Sequence, residues 1–266
     1  MMAGTASPLH VEVLGQGAPV VMLHGWGMHS GLLRPLAEHL AATRSVALVD
    51  LPGHGESRGF VQFADLASHV DYLVTQLAPL LEQGVTLIGW SLGGLLAQAM
   101  ALQYPQYIRR LILLCSTPCF VQRPDWTCAL EAQVLQRFAA GLEHDAQATL
   151  TRFLALQFMA AQNPKENLRQ GRALLFNRPQ PQVGALQQGL YLLEHTDLRA
   201  RVASITCPSL VINAEHDTLV PPAAGQFLAE AIPAGRGVLI KDAGHAPFLS
   251  HSERVNYFLG RFMHAN

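Results

Sequence analysis

One serine of this chain has neighbours suited to nucleophilic attack. Gly89-Trp90-Ser91-Leu92-Gly93-Gly94 follows an apolar run at 85–90 and opens an apolar helical pattern over 92–104. This is G-x-S-x-G between a strand and a helix. A serine on so tight a turn needs neighbours two positions away that lack side chains. The turn lifts the hydroxyl clear, and the helix aims its N-terminus at the place where negative charge would develop. Alone, G-x-S-x-G is a weak pattern and also describes an ordinary glycine-rich turn; the flanking strand and helix give it weight.

A serine hydroxyl needs a base, and the base needs an orienting acid. Serine, acid, then histidine is the chain order expected for such a turn. Of twelve histidines, His245 in D-A-G-H-A-P-F lies just after the last apolar run, 237–242, which selects it. A neutral imidazole there can take the serine proton and return it to the leaving group. His54, in a turn, and His251, at a helix start, read as structural or exposed. The acid should follow the run 208–213, where N-A-E-H-D-T-L-V-P offers Glu215 and Asp217. Asp217 is preferred because it lies deeper in the loop, just before Pro221-Pro222; Glu215 is the fallback. Asp197 precedes that run and reads as a helix N-cap.

The elements that must position these groups follow from patterning. Short apolar runs at 19–24, 45–50, 85–90 and 110–115 end at turn residues and read as strands buried on both faces. Helical patterns over 32–42, 63–82 and 92–104 separate them. Strand-helix alternation implies an α/β, mostly parallel, doubly wound sheet. The rhythm stops after Pro118. Residues 121–200 hold no strand run and suggest helices at 126–140, 145–160, 165–176 and 182–194. It resumes at 208–213, with a helix after Pro222, the run 237–242 and a helix over 252–263. The expected organisation is a core of residues 1–120 and 201–266, interrupted by a helical lid, 121–200, overhanging the strand ends. His24-Gly25-Trp26-Gly27 follows the first run, so the backbone N–H groups of Trp26 and Leu92 are the expected oxyanion donors. His24 itself reads as a buried histidine bonded to nearby backbone.

Composition removes several classes. The chain has 266 residues, half of them hydrophobic and 14% charged, with a net charge of −1, which argues against a globally basic nucleic-acid binder. The N-terminus lacks the pattern of a signal peptide, and no apolar stretch suits a membrane span. Four cysteines (Cys115, Cys119, Cys128 and Cys207) show no disulfide-scaffold density. A cytoplasmic monomer is expected. No zinc or phosphate-loop motif occurs, and neither lysine, Lys165 or Lys241, follows a glycine. No metal or cofactor is implied.

The segments L-H-G-W-G, D-L-P-G-H-G-x-S, G-W-S-L-G-G-L, S-x-P-C-F, R-F-L-A-L-Q and G-H-A-P-F extend over nearly the whole chain. Together they resemble the pimeloyl-[acyl-carrier protein] methyl ester esterases of biotin synthesis, the BioH family of the α/β-hydrolase fold. The H-G, P-G-H-G and G-x-S-x-G pieces occur in many α/β hydrolases; S-T-P-C-F (116–120) and R-F-L-A-L-Q (152–157) are more specific. The resemblance implies hydrolysis of a methyl ester at the end of a pimeloyl chain borne by an acyl-carrier protein. It implies substrate contacts from Trp26, Ser91, Leu92, Phe153, Leu154, Ala155, Leu156, Gln157 and His245. A serine at the elbow separates the chain from haloalkane dehalogenases and epoxide hydrolases, which resemble the fold but use an aspartate there.

Between 152 and 178, Arg152, Lys165, Arg169, Arg172 and Arg178 stand against the single acid Glu166, a local net charge of +4. Lys165, Arg169 and Arg172 would share one helix face. Acyl-carrier proteins are acidic, so Arg152, Lys165, Arg169 and Arg172 are candidate docking residues; the plainer reading is a solvated basic face. Ala148 and Lys165 stand where the resemblance leads one to expect arginines. Phe153, Leu154, Leu156, Phe158 and Met159 could line an acyl channel or form ordinary lid core. A broad short-chain carboxylesterase and a C–C hydrolase remain alternatives on the same scaffold, and a non-catalytic acyl-carrier-binding module is the alternative outside enzymes.

Overall fold

The computed structural model describes residues 8–159 and 163–264. The first seven residues, where the N-terminal reading begins, lie outside it, as do residues 160–162 and 265–266.

Seven strands form one sheet: β1 (Val11–Leu14), β2 (Ala18–Leu23), β3 (Arg44–Val49), β4 (Val85–Trp90), β5 (Ile108–Leu114), β6 (Ser209–Ala214) and β7 (Gly235–Ile240). Their order across the sheet is β1-β3-β2-β4-β5-β6-β7; all neighbours are parallel except β1, which runs antiparallel to β3. From β2 through β6 each strand ends in consecutive buried residues, as apolar runs without alternation require. β1 was not apparent in the sequence. It is short, and V-E-V-L at the sheet edge is half exposed.

Chain direction assigns the helices to faces. The step from β2 to β3 through α1 (Arg34–Leu40) moves one way across the sheet. The steps through α2 (Leu66–Leu81), α3 (Leu92–Gln103) and α8 (Pro222–Ala231) move the other way. Right-handed crossovers in opposite directions place helices on opposite faces. Accordingly α1 contacts the C-terminal helix (Ser252–His264), and α2 contacts α3. The order reverses between β2 and β4, and the crevice beyond their carboxyl ends is where such a sheet binds ligands.

Among the described residues, four α-helices lie between β5 and β6: α4 (Ala132–His144), α5 (Ala146–Gln157), α6 (Pro164–Leu175) and α7 (Val183–His195). Three start within a residue of expectation. α4 begins six residues later than the expected 126, because residues 118–131 form bridged loops. Cys119 bridges Asp197, Val121 bridges Leu130, and Arg123 bridges Trp126. Trp126 donates from Nε1 to Cys119 O at 2.9 Å and lies under Arg199, 5.3 Å away. α5 ends at Gln157, and the last residue of the expected 145–160 helix is outside the described residues. Asp197 is not an N-cap; it pairs with Arg199 at 2.7 Å. Among the described residues, no helix is long and apolar enough to cross a membrane.

Candidate active site

Ser91 leaves β4 with φ 56° and ψ −119°. A non-glycine residue held in so sparsely populated a region costs about 1–3 kcal/mol and needs its surroundings to fix it. They do. Ser91 N donates to Leu114 O at 3.0 Å. Ser91 O accepts from Gly94 N at 2.9 Å, Leu95 N at 3.1 Å and Ser116 Oγ at 2.9 Å. The flanking glycines allow the approach: a Cβ at Gly89 would stand 2.6 Å from Gly94 Cα, and one at Gly93 would stand 2.6 Å from His24 O.

His245 and Asp217 meet under the same crevice. His245 Nδ1–H donates to Asp217 Oδ2 at 2.7 Å, with both side chains fully buried. Asp217 Oδ1 accepts from Leu219 N and Val220 N, each at 2.9 Å, so the loop after β6 clamps the carboxylate. A carboxylate on one ring nitrogen fixes the proton there and leaves the other as an acceptor. That other nitrogen, His245 Nε2, is buried and has no hydrogen-bond partner among the described residues. Glu215 is exposed and accepts from Asp242 N at 3.0 Å instead. Of the two acids weighed from the sequence, the structure brings Asp217 to the histidine.

Three supporting residues have roles that the sequence alone does not reveal. Trp90 Nε1 donates to His245 O at 3.0 Å. Ser116 Oγ holds the Ser91 carbonyl, as above. Cys115, with φ 45°, offers Sγ within 4.8 Å of Asp217 and His245 ligand atoms. Burial first, then the Asp217 charge, pushes the Cys115 thiol well above its usual pKa and keeps it protonated. This trio makes a poor metal cage, because His245 Nδ1 is already bound to Asp217.

The loop after β2 also lies against Ser91: a Cβ at Gly25 would stand 3.2 Å from Ser91 Cβ. Trp26 is buried, and its Nε1 donates to Leu186 O of α7 at 2.8 Å. Its ring meets Phe153 edge-on at 4.7 Å and Phe138 at 5.8 Å. Leu92 is the first residue of α3, so its N–H has no acceptor within the helix. His24 ties this loop to the next one: Nδ1–H donates to Gly25 O at 2.8 Å, and Nε2 accepts from Leu51 N at 2.9 Å. Burial, then nearby His54, lowers its pKa to about 3, so it is neutral.

The residues expected at the substrate divide by depth. Phe153, Leu154 and Gln157 are buried, while Ala155 and Leu156 are half-buried. Phe153 reaches Trp26. Leu156 lines an outer groove of about 290 Å³ with Val134, Arg137, Phe138, Thr149 and Arg152. Gln157 donates from Nε2 to Phe153 O at 3.1 Å, and its Oε1 is buried without a partner among the described residues. Phe158 is buried, whereas Met159 is 47% exposed.

Arg152, Lys165, Arg169 and Arg172 are exposed on α5 and α6. Arg169 is bidentate to Glu166, at 2.8 and 2.6 Å, so its charge is partly spent locally. Arg178 does not belong to that surface. It pairs with Asp50 at 2.8 Å and Glu12 at 3.2 Å, with its side chain 14% exposed, and fastens the α6–α7 connection to the sheet. The +4 counted along the sequence therefore overstates the free charge, because spacing cannot show a partner more than a hundred residues away.

Comparison with known proteins agrees with the fold. Residues 18–252 match the family model described as "alpha/beta hydrolase fold". A protein of Xanthomonas axonopodis pv. citri named pimeloyl-[acyl-carrier protein] methyl ester esterase is 43% identical over 256 residues, covering 96% of this chain and 98% of its own. A protein of the same name from Xylella fastidiosa is 41% identical over 257 residues, with the same coverage. The chain belongs to the pimeloyl-[acyl-carrier protein] methyl ester esterase family, within the α/β hydrolases. An esterase from Exiguobacterium antarcticum superposes with a TM-score of 0.86 at 25% identity, covering 97% of this chain and 96% of that one. R-F-L-A-L-Q, singled out in the sequence, lies on α5.

Proposed function

We propose that this chain hydrolyses the methyl ester of a pimeloyl group carried on an acyl-carrier protein, with Ser91 as nucleophile, His245 as base and Asp217 as orienting acid. The observation that carries the chemistry is the buried His245–Asp217 pair, which leaves Nε2 free as an acceptor on a loop tied to Trp90, the residue before Ser91. The substrate rests on the 41–43% identity to the named esterases.

The steps follow from the atoms. Ser91 Oγ attacks the ester carbonyl while its proton passes to His245 Nε2. The carbonyl oxygen becomes an oxyanion held by the N–H groups of Trp26 and Leu92; one such donor is worth roughly 3–4 kcal/mol of barrier. Collapse expels methoxide, which takes the proton from His245 and departs as methanol. Water then attacks the acyl-serine with His245 again as base, freeing the carboxylate. Asp217 keeps Nδ1 protonated and stabilises the imidazolium between steps.

Helices α4–α7 act as a lid. The groove holding Leu156, Arg137 and Arg152 lies outside the aromatic series Phe138, Phe153, Trp26, whose rings are 5.3 and 4.7 Å apart in turn. An acyl chain entering there would pass these rings to reach Ser91. The exposed face bearing Arg152, Lys165, Arg169 and Arg172 suits an acidic carrier protein.

The test compares kcat/KM for the carrier-bound pimeloyl methyl ester with p-nitrophenyl esters of varied chain length. A preference for the carrier-bound ester of about tenfold or more fits this reading. Equal or greater rates on short soluble esters would reassign the chain to a broad carboxylesterase.

A further inference from the structure

α7 touches both sides of the oxyanion hole. Leu186 O accepts the Trp26 indole N–H at 2.8 Å. One turn later, Gly189 faces Trp26 and Leu92 together. A Cβ there would stand 2.5 Å from Trp26 Cδ1, 3.1 Å from Trp26 Nε1 and 3.3 Å from Leu92 Cδ2. Gly189 is in a helix interior and has no positive φ, so its backbone conformation does not call for glycine. Glycine at such a position costs about 1 kcal/mol relative to alanine. What it provides is the close approach of α7 to the side chains of the two residues assigned above as oxyanion donors.

We infer that Gly189 is a positioning residue of the oxyanion hole: by lacking a side chain, it lets α7 seat Trp26 and Leu92 at the separation the oxyanion requires. The inference rests on the assignment of those two residues as donors. Trp26 is held by Leu186 O and Gly189 from α7, by Phe153 from α5 and by Phe138 from α4. Oxyanion donors act over a narrow range, about 2.7–3.1 Å from the developing charge. A methyl group on Gly189 must push the indole, the Leu92 side chain or α7 itself, and each shift moves a donor or stretches the Leu186 tether. The lid thereby does more than cover the site; its seat is part of the site's geometry.

A pair of ketones bearing the same short acyl chain tests this. A trifluoromethyl ketone accepts Ser91 Oγ at its carbonyl carbon; the carbonyl π pair moves to oxygen, and the serine proton moves to His245 Nε2. The resulting hemiketal oxyanion needs the hole, whereas the unfluorinated methyl ketone binds without that charge. Gly189→Ala should weaken the trifluoromethyl ketone about tenfold or more, in parallel with kcat/KM for a p-nitrophenyl ester, and leave the methyl ketone within about twofold. Trp26→Phe keeps every backbone N–H but deletes the bond to Leu186 O; because the Trp26 ring is itself a substrate contact both ketones weaken, and the trifluoromethyl ketone should lose a further few-fold relative to the methyl ketone. This variant decides the matter if Gly189→Ala does not fold. Equal weakening of both ketones, or of neither, overturns the inference. A wild-type chain with no preference for the trifluoromethyl ketone overturns the donor assignment, and the inference with it.

Discussion

The indole of Trp90 donates to the backbone carbonyl of His245, so the residue before the nucleophile holds the loop that carries the base. The same ring lies edge-on to Phe248 at 4.9 Å. Trp90→Phe would retain an aromatic ring but leave the His245 carbonyl without this donor, at about 1–3 kcal/mol. The expected outcome is a melting temperature lower by a few degrees and a reduced kcat on a soluble ester. An unchanged melt and unchanged kcat would show that the bond contributes nothing.

Asp217 and Glu215 can be separated by charge removal. Asp217→Asn cannot hold His245 in the required tautomer, and kcat should fall by about 10⁴. Glu215→Gln should stay within a few-fold of the parent, since Glu215 bonds Asp242 N at the surface. Similar losses from both would refute the choice of acid. Ser91→Ala should abolish turnover and labelling by a fluorophosphonate while the fold persists.

Three histidines set an acid limit on stability. Burial lowers His24 and His69 to about 3 and His54 to about 4, from an ordinary 6.5. The unfolded chain therefore binds more protons than the folded one below pH 6.5. Stability from these groups is complete above that value and is lost as pH falls toward 4, at about 1.4 kcal/mol per histidine per pH unit. His69, stacked on Phe63 at 4.2 Å with neither ring nitrogen partnered among the described residues, is the simplest to remove. His69→Phe should flatten the fall in urea midpoint between pH 7 and 5. An unaltered slope would count against a buried neutral imidazole there.

Arg178 and Arg172 should behave oppositely. Arg178→Met leaves the buried Asp50 carboxylate without its cation, still held by Ser30 N and Glu56 N, a loss of up to about 3–5 kcal/mol in denaturant midpoint measurements. Reversing charge at Lys165 and Arg172 should hardly move the midpoint, yet weaken turnover of the carrier-bound ester much more than that of a soluble ester. Equal loss on both substrates would remove the docking surface from consideration.

Much of this arrangement was readable along the chain because its signals are local. Apolar runs without alternation marked β2 to β6, and the order of Ser91, Asp217 and His245 followed from which strand each trails. β1 was missed because a half-exposed edge strand carries little apolar signal. The start of α4 was misplaced because helix-forming composition does not show Trp126 pinned beneath Arg199. The contacts that tune the site were hidden for a related reason. Trp90 with His245, Trp26 with Leu186 and Arg178 with Asp50 join residues more than a hundred positions apart, and nothing in either segment alone announces the other.

The left-handed backbone of Ser91 has one more consequence. At this position the demands of durability and turnover diverge: glycine would relieve the strain but delete the hydroxyl. Ser91→Gly should therefore unfold at no lower temperature than the parent while being inert, so a screen for heat resistance alone would drift toward a dead enzyme.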